Sequence, residues 1–277
     1  MTDFLHESIF ELFDSSTTPL RSQTYAHFAL GDAFIRRVNQ PNRSAIAHFW
    51  PIENMVILGM MDTKLPYLAD GVSLLENKGA QVVVRPAGGL AVVSDPGILN
   101  FSLILPEADD EKISIDDGYQ VMVDLISQVF APYGKAIEAY EIVDSYCPGK
   151  FDLSIDGKKF AGIAQRRFKK GIAIMIYMSV EGDQNGRGKL IQVFYEVGLK
   201  GEETQWSFPL VNPDSMANLS DLLDTPLTVA QVKQMIIDTL TKQGNHLVEG
   251  DYTADIMTAY HDAYTKMEKR NRQLFGK

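Results

Sequence analysis

Hydrophobic and polar positions recur along most of the chain with two periods, one typical of helices and one typical of strands. The segment TYAHFALGDAFIRRVNQ has apolar residues at helical spacing, among them Tyr25, Phe28 and Ala33. YLADGVSLLENKG predicts a helix that ends at Gly79, and DGYQVMVDLISQVFAPYG predicts one that ends at Gly134. Short apolar runs between these helices predict strands: AIAHFW, NMVILGMM, QVVVRP, AIEAYEI, FDLSI, KFAGIAQRR and GIAIMIYMSV.

The pattern becomes mainly helical after about residue 213. DTPLTVAQVKQMIIDTLTKQG has Thr228 as its predicted N-cap, and YTADIMTAYHDAYTKMEKRNRQLF is long and amphipathic. Strands that directly follow strands argue against a regular doubly wound fold. The sequence predicts an α/β (α+β) fold: one continuous domain over residues 1–277, with a mixed, partly antiparallel sheet, packed helices and a mainly helical C-terminal lobe over residues 213–277.

Composition narrows the classes of function. With 45% hydrophobic and 22% charged residues, the chain is typical of globular proteins, and it contains no apolar stretch of roughly eighteen residues. Its start, MTDFLHESIFELFDSS, carries acids where a secretory signal carries basic residues, so we expect a cytoplasmic protein that does not act at a membrane. A net charge of −10 disfavours nucleic acid as a partner. One cysteine and five scattered histidines predict no disulfide and no metal site, and nothing in the sequence implies a cofactor.

Asp156-Gly157 lies between two strand-like runs and predicts a two-residue hairpin turn, because both central residues of that turn need positive φ. One face of the hairpin is then apolar, and the other is mixed. We expect the mixed face to line a cavity into which Lys159 projects, unless a longer turn directs Lys158 inward instead. The predicted pairs are Ile155 with Lys158, Ser154 with Lys159, Leu153 with Phe160 and Asp152 with Ala161; the mixed face carries Asp152, Ser154, Lys159, Ala161, Ile163 and Gln165.

Cys147 is the only cysteine of the chain and lies in SYCPG, where a turn can place it over the cavity. A thiolate is a strong nucleophile, and nearby cations increase the thiolate fraction at neutral pH. A lone cysteine is more often a small buried hydrophobic residue. Spacing alone therefore favours a structural role for Cys147.

A second informative segment is RPAGGLAVVSDPGILN. Gly88-Gly89 after a strand lets the backbone approach a ligand closely, and Asp95-Pro96-Gly97 predicts a turn. The segment lacks both the phosphate-binding Gly-Lys-Ser/Thr and the dinucleotide pattern Gly-x-Gly-x-x-Gly.

Together the two segments resemble the lipoate/biotin protein ligase and lipoyl/octanoyl transferase superfamily. Positions that match its glycine motif are Arg85, Gly88, Gly89, Gly97, Leu99 and Asn100, and those that match its lysine motif are Gly157, Lys159 and Gly162. Pro86, Leu90 and Ser94 replace an arginine, a glycine and a histidine. These departures, with SYCPG and GKKFAGIAQRR, are similar to one branch, the octanoyl-[glycine cleavage system H protein]:protein N-octanoyltransferases, or lipoyl amidotransferases. The similarity is good over roughly residues 50–200.

The resemblance implies an acyltransferase in protein lipoylation. It implies that Cys147 takes an octanoyl or lipoyl group from the octanoylated glycine cleavage H protein as a thioester and passes it to a lysine of lipoyl domains of 2-oxoacid dehydrogenases. Lys159 would bind the acyl carbonyl, and a narrow apolar tunnel would hold the chain. The implied substrate-binding residues are Arg85, Gly88, Gly89, Asn100 and Gly162.

Three other functions remain open from the sequence: a carrier-protein-dependent octanoyltransferase, an ATP-dependent lipoate ligase and a non-catalytic lipoyl-domain binder. The protein partners implied by the resemblance also suggest a function for the basic run between residues 150 and 170. This run would dock acidic carrier domains, although a solvated strand end explains part of it equally well. Its seven basic residues, against Asp152 and Asp156, are Lys150, Lys158, Lys159, Arg166, Arg167, Lys169 and Lys170.

Overall fold

The computed structural model describes residues 8–107 and 112–276, so the first seven residues of the acidic start, His6 among them, lie outside it. It is a mixed α/β structure with two sheets. The strands are β1 (Ile9–Asp14), β2 (Ala45–Phe49), β3 (Met55–Leu58), β4 (Gln81–Val84), β5 (Val92–Ser94), β6 (Ile98–Pro106), β7 (Glu138–Ala139), β8 (Leu153–Ile155), β9 (Lys158–Phe168), β10 (Gly171–Ser179) and β11 (His246–Glu249). The helices are α1 (Ala26–Val38), α2 (Leu68–Asn77), α3 (Ile115–Phe130), α4 (Gln184–Leu199), α5 (Leu219–Leu222), α6 (Val229–Lys242) and α7 (Ala254–Phe275).

The main sheet has eight strands in the order β11-β1-β2-β6-β10-β9-β8-β7. Its first three strands are parallel to one another, and every later neighbour is antiparallel. A smaller sheet has the order β4-β3-β5, with β3 parallel to β4 and antiparallel to β5. The predicted mixed, partly antiparallel sheet is therefore confirmed.

Strand periodicity gives the main sheet two different faces. On β6, Leu99, Phe101 and Leu103 point into an apolar core that also contains residues of α3 and α6. Asn100 and Ser102, between them, point to the opposite side, because successive side chains of a strand alternate. That opposite side is covered by α1 and α7 towards one end. Polar side chains are thus buried beneath α1 by the register of a mostly apolar strand.

Two long helices begin at side-chain caps. Ser114 precedes α3 and forms a capping box with Asp117, whose backbone N–H and carboxylate both take part. Thr228 caps α6 in the same way with Gln231, which confirms the predicted N-cap. These caps satisfy backbone N–H groups that have no partner within the helix. Helix α6 starts where the sequence predicts, whereas α3 starts two residues before the predicted segment.

The hairpin turn is confirmed, but its register changes after two pairs. Asp156 and Gly157 have φ values of +50° and +76°, as the predicted turn requires. Ser154 pairs with Lys159, whereas Leu153 pairs with Ala161 rather than with Phe160, across a β-bulge. The bulge reorients the chain beyond it. Ala161 therefore joins the apolar core, and Asp152, Lys159, Ile163 and Gln165 line the cavity.

Seven elements differ from the sequence prediction or are absent from it. AIEAYEI forms only the two-residue strand β7, and the elements that were not predicted are β1, β5, β6, β11, α4 and α5. The C-terminal part is mainly helical but contains β11, which pairs with β1 in the main sheet. Its four residues are too short and too polar to predict a strand, and only a parallel neighbour far away in sequence stabilises it.

Candidate functional site

A cavity of about 350 Å³ lies between the main sheet, helix α1 and the small sheet. This volume is in the range of small-molecule sites, about 300–1,000 Å³. Apolar side chains from all three elements form much of its wall, and the segments around Cys147 and Lys159 form one side. The apolar lining residues include Phe28, Ile35, Ile57, Val92, Ile104, Ala173 and Met175.

Cys147 is half-buried at this cavity and has an unusual backbone. Its φ of +48° is in the left-handed region, which costs energy for a residue with a side chain. The backbone N–H of Leu90 donates to Sγ at 3.3 Å, and Nη2 of Arg85 lies 3.6 Å from the same sulfur. The thiol therefore faces two hydrogen-bond donors, a backbone N–H group and a guanidinium.

The glycine segment approaches the sulfur so closely that side chains are excluded. Gly89 has a φ of +84°, and a Cβ built there would lie 2.6 Å from Nη2 of Arg85 and 3.2 Å from the Cys147 sulfur. At Gly59, on the neighbouring loop, a Cβ would lie 1.8 Å from the carbonyl oxygen of Gly89. Two glycines thus let two loops and a thiol meet at one point.

Arg85 shapes this segment from within. Its guanidinium donates to the carbonyl oxygen of Gly88 at 3.1 and 3.2 Å and to that of Leu90 at 3.1 Å. Those bonds close the segment that we call the glycine loop, residues 86–91, into a compact turn. Arg85 and Gly88 both line the cavity, but most of the hydrogen bonds of Arg85 go to the loop itself.

Lys159 is 5% exposed and is held by four groups. Its Nζ lies 2.9 Å from Oδ1 of Asp152 and donates to Oγ of Ser145 at 3.1 Å. It also donates to the carbonyl oxygens of Tyr146 at 3.1 Å and Cys147 at 2.8 Å. In this structure the Lys159 ammonium therefore stabilises the turn that carries Cys147, the candidate nucleophile.

Asp152 completes the lysine site. Its Oδ2 accepts the backbone N–H groups of Ile142 at 3.2 Å and Gly149 at 3.1 Å. Burial raises the pKa of Asp152, and the neighbouring Lys159 opposes that increase. With one oxygen on Lys159 and the other on two N–H groups, Asp152 is an ion-pair partner that ties Lys159 to the 142–149 segment.

Gly162 and Asn100 lie on the cavity wall. A Cβ at Gly162 would be 3.7 Å from Nζ of Lys159 and 3.6 Å from its Cε, an ordinary contact, so glycine leaves one side of the ammonium uncovered. Asn100 donates through Nδ2 to Oγ of Ser94 at 2.9 Å, and Ser94 is one of the residues that departs from the family motif. The structure thus places all seven residues singled out in the sequence around one cavity.

The sequence did not indicate several polar residues of the same cavity. His27 and Trp50 line it, as does His48, whose ring nitrogen is 2.7 Å from Oγ of Ser15. Burial lowers the pKa of His48 well below its usual range, so the ring is neutral. The alternation of AIAHFW was the available signal, since it places His48 and Trp50 on the face opposite to Ala47 and Phe49, but nothing in it indicates a cavity.

A tyrosine pair forms another unpredicted part of the wall. The hydroxyls of Tyr146 and Tyr177 are hydrogen-bonded to each other, and Gln184 donates to Tyr146 at 3.1 Å. Burial raises the pKa of both phenols, that of Tyr177 strongly. Both remain neutral hydrogen-bonding groups and connect the Cys147 turn to β10 and α4.

The basic run of residues 150–170 does not form one uniform surface. Lys159 is buried, Arg166 pairs with Asp32 at 2.5 Å, and Lys150 pairs with Asp116 at 2.6 Å. Arg167 donates to the carbonyl oxygen of Ile113 at 2.6 Å. The exposed basic residues of the run are Lys150, Lys158, Lys169 and Lys170.

Within residues 8–107 and 112–276, no group of three or more histidine, cysteine or acidic side chains is placed to hold a metal ion. No helix in the same ranges is both long and apolar enough to cross a membrane.

The class of protein follows from sequence comparison, and solved structures share the fold. Residues 23–241 match the family of the lipoyl protein ligase A/B catalytic domain. Two solved structures share the fold over nearly the whole chain. A lipoate-protein ligase A bound with ATP has a TM-score of 0.71 at 19% identity, and the match covers 98% of this chain and 99% of the ligase. A lipoate protein ligase of Thermoplasma acidophilum with bound lipoic acid has a TM-score of 0.69 at 19% identity, and the match covers 96% of this chain and 99% of that ligase.

Curated relatives are closer in sequence. The octanoyl-[GcvH]:protein N-octanoyltransferase of Macrococcus caseolyticus is 42% identical over 276 residues, which cover 99% of this chain and 98% of the relative. The lipoyl-[GcvH]:protein N-lipoyltransferase of Listeria monocytogenes is 39% identical over 270 residues, 98% of this chain and 97% of the relative. This chain belongs to the lipoyl protein ligase A/B catalytic domain family and, within it, to the octanoyl-[GcvH]:protein N-octanoyltransferases.

Proposed function

We propose that this protein moves an octanoyl group from a lysine of the glycine cleavage H protein to a lysine of lipoyl domains of 2-oxoacid dehydrogenase subunits, through a thioester on Cys147. The names of its relatives support the H protein as donor. The observation that carries the thioester is the position of the only cysteine, whose sulfur lies 3.3 Å from the Leu90 nitrogen at the wall of the cavity.

The first transfer exchanges an amide for a thioester. The Cys147 sulfur attacks the carbonyl carbon of the octanoyl-lysine, a C–S bond forms, and the C–N bond breaks. The proton of the thiol is balanced by the proton that the leaving lysine amine takes up. The second transfer reverses these steps with the acceptor lysine: its amine attacks the thioester, loses a proton and releases the thiol. No cofactor or oxidant is needed.

Lys159 would stabilise the oxyanion of both tetrahedral intermediates. A fixed donor of this kind is commonly worth about 3–4 kcal/mol in such reactions. The ammonium has three N–H groups and four acceptors in this structure, so we expect the acyl oxygen to replace one of them. Gly162 has no side chain beside Nζ and so leaves room for the acyl oxygen on that side.

The apolar part of the cavity would hold the acyl chain. An octanoyl group has about seven carbons beyond its carbonyl, and burial of each methylene contributes about 0.8 kcal/mol. Ile57, Ile104 and Met175 provide apolar wall for that chain. A lipoyl group is a second candidate for the acyl group, since one relative is named as a lipoyltransferase.

Intact-protein mass spectrometry tests this function. The protein is mixed separately with octanoylated H protein, lipoylated H protein and octanoyl-carrier protein, with Cys147→Ala in parallel. We expect a hydroxylamine-labile adduct from the H protein donors that is absent in the variant. An adduct from the carrier protein alone would assign the carrier-protein-dependent octanoyltransferase instead, and no adduct from any donor would favour the ligase or the non-catalytic binder.

A further inference from the structure

A buried acid and a buried phenol lie behind the glycine loop, and neither has a part in the acyl transfer described above. Asp62 is 0% exposed, and Tyr195, on α4, is 3% exposed. The Tyr195 hydroxyl donates to Oδ1 of Asp62 at 2.8 Å. The other oxygen of Asp62, Oδ2, accepts the backbone N–H of Gly59 at 2.8 Å.

The pair continues into the glycine loop. The oxygen of Tyr195 accepts the backbone N–H of Ala91 at 3.2 Å. Ala91 directly follows Leu90, whose N–H donates to the Cys147 sulfur at 3.3 Å. A second link ties the same loops, because the N–H of Met60 donates to the carbonyl oxygen of Ala87 at 3.3 Å. Tyr195 is thus one hydrogen bond, and Asp62 two hydrogen bonds, from Ala91, the residue next to the Leu90 N–H that faces the thiol.

We propose that Asp62 and Tyr195 are positioning residues for the nucleophile: they hold the glycine loop so that the Leu90 N–H points at the Cys147 sulfur. This proposal deepens the function proposed above and rests on it only for the purpose of the thiol. Tyr195 suits the task because its hydroxyl is donor and acceptor at once, which fixes both of its neighbours in direction.

The arrangement suits the ionised form of Asp62. Both oxygens accept a hydrogen bond, and a carboxylate is an acceptor only. Burial raises the pKa of Asp62 to about 6, and Arg85, the charged residue that faces it from the end of β4, limits that increase. Tyr195 faces it from α4 and stays neutral, with its own pKa well above the usual range because of burial. The Cys147 thiol, beyond Tyr195, is the remaining titratable group nearby.

Alkylation of Cys147 with iodoacetamide tests the proposal without any acyl donor. Since the chain has one cysteine, the labelling rate reports on this thiol alone. We expect Tyr195→Phe to slow labelling at pH 7 about tenfold and to move the pH of half-maximal labelling upward by about one unit, because the Leu90 N–H is no longer held towards the sulfur. Asp62→Asn, which keeps the size of the side chain, should move the profile in the same direction.

The matched control is Tyr260→Phe. Tyr260 is also fully buried and donates a single hydrogen bond, to Gln23 at 2.6 Å, on helix α7 away from the cavity. Its variant should lose thermal stability and keep the wild-type labelling profile. Folding of each variant is checked by circular dichroism. If Tyr195→Phe does not fold, the labelling profile of Asp62→Asn tests the proposal.

Profiles of folded Tyr195→Phe or Asp62→Asn that overlay the wild type would overturn the proposal. An effect of equal size in Tyr260→Phe would overturn it too, since general loosening would then explain the result. Failure of the proposed acyl transfer would appear instead as a missing octanoyl adduct with an intact labelling response, so the two outcomes are distinguishable.

Discussion

The lysine and the cysteine of this site are held very differently. Lys159 is 5% exposed, with an ion pair and three hydrogen bonds. The Cys147 sulfur receives one backbone N–H at 3.3 Å, and its residue has a strained φ of +48°. A buried charge must be fully paired, whereas a half-buried thiol tolerates few partners. The charged group is therefore held by a full set of partners, whereas the reactive group is positioned mainly by the backbone of its own turn and of the glycine loop.

Substitution of Cys147, the residue with fewer partners, should have the largest effect on acyl transfer. Cys147→Ala is expected to abolish the acyl-enzyme adduct and reduce transfer by at least three orders of magnitude, since no other cysteine can form the thioester. The fold should persist, because the thiol contributes few contacts. The measurement is single-turnover transfer from octanoylated H protein. A variant that still forms a hydroxylamine-labile adduct would break the comparison, since another residue would then be the nucleophile.

Substitution of Lys159, the residue with four partners, should affect both activity and stability. Lys159→Met is expected to slow acyl-enzyme formation about 10²- to 10³-fold. It should also cost about 3–5 kcal/mol of folding free energy, because Asp152 is left buried without its counter-charge. Chemical denaturation and single-turnover kinetics measure the two effects. Lys158→Met, at the adjacent exposed lysine, is the control, and equal losses in both variants would contradict a special role for Lys159.

Gly162→Ala sharpens the comparison at the open side of the ammonium. The new Cβ would sit 3.6–3.7 Å from Lys159 and Asp152 atoms, so we expect a normal melting temperature. If the acyl oxygen approaches Nζ from this side, the methyl group should reduce transfer about tenfold. Wild-type rates in Gly162→Ala would show that substrate reaches Lys159 from another direction.

Charge reversal outside both turns should have a smaller effect. Lys169→Glu is the suitable substitution because Lys169 is exposed. Reversal of Arg166 would also break its ion pair with Asp32. We expect the second-order rate with octanoylated H protein to fall about two- to fivefold at low salt and to match the wild type at high salt, because the effect acts on encounter. Lys242→Glu, at the end of α6, serves as the control. An unchanged low-salt rate would remove Lys169 from the docking surface.

The smallest effect concerns Asp62 and stability. Its folded pKa of about 6 lies above the usual 3.8 because burial disfavours the charged form, so the folded chain binds this proton more tightly than the unfolded chain does, and stability is lost as pH rises from about 4 through about 6. Asparagine does not ionise. The melting temperature of Asp62→Asn minus that of the wild type should therefore be more positive at pH 8 than at pH 4 by several degrees. A difference that does not vary with pH would show that Asp62 has an ordinary pKa.

Local signals were enough for several features of the site. The Asp156-Gly157 turn follows from two residues that tolerate positive φ, and that turn alone pairs Ser154 with Lys159. The bulge that moves Ala161 into the core has no local signal, because it depends on the packing of the strand against α3 and α6. Of the six residues on the face predicted to line the cavity, Asp152, Lys159, Ile163 and Gln165 do line it, whereas Ser154 and Ala161 do not.

The sequence by itself determined most of the helices and strands, the two motifs and, through resemblance, the residues to examine, because turns, caps and periodic faces depend on neighbours close in the chain. Only the tertiary structure decided that Lys159 bonds to the turn of Cys147, that His48 is buried at the same cavity, and that Asp62 and Tyr195 hold the glycine loop. Those contacts join residues that are 12 to 133 positions apart. Contacts over such separations depend on how the sheets and helices pack, which no local pattern records.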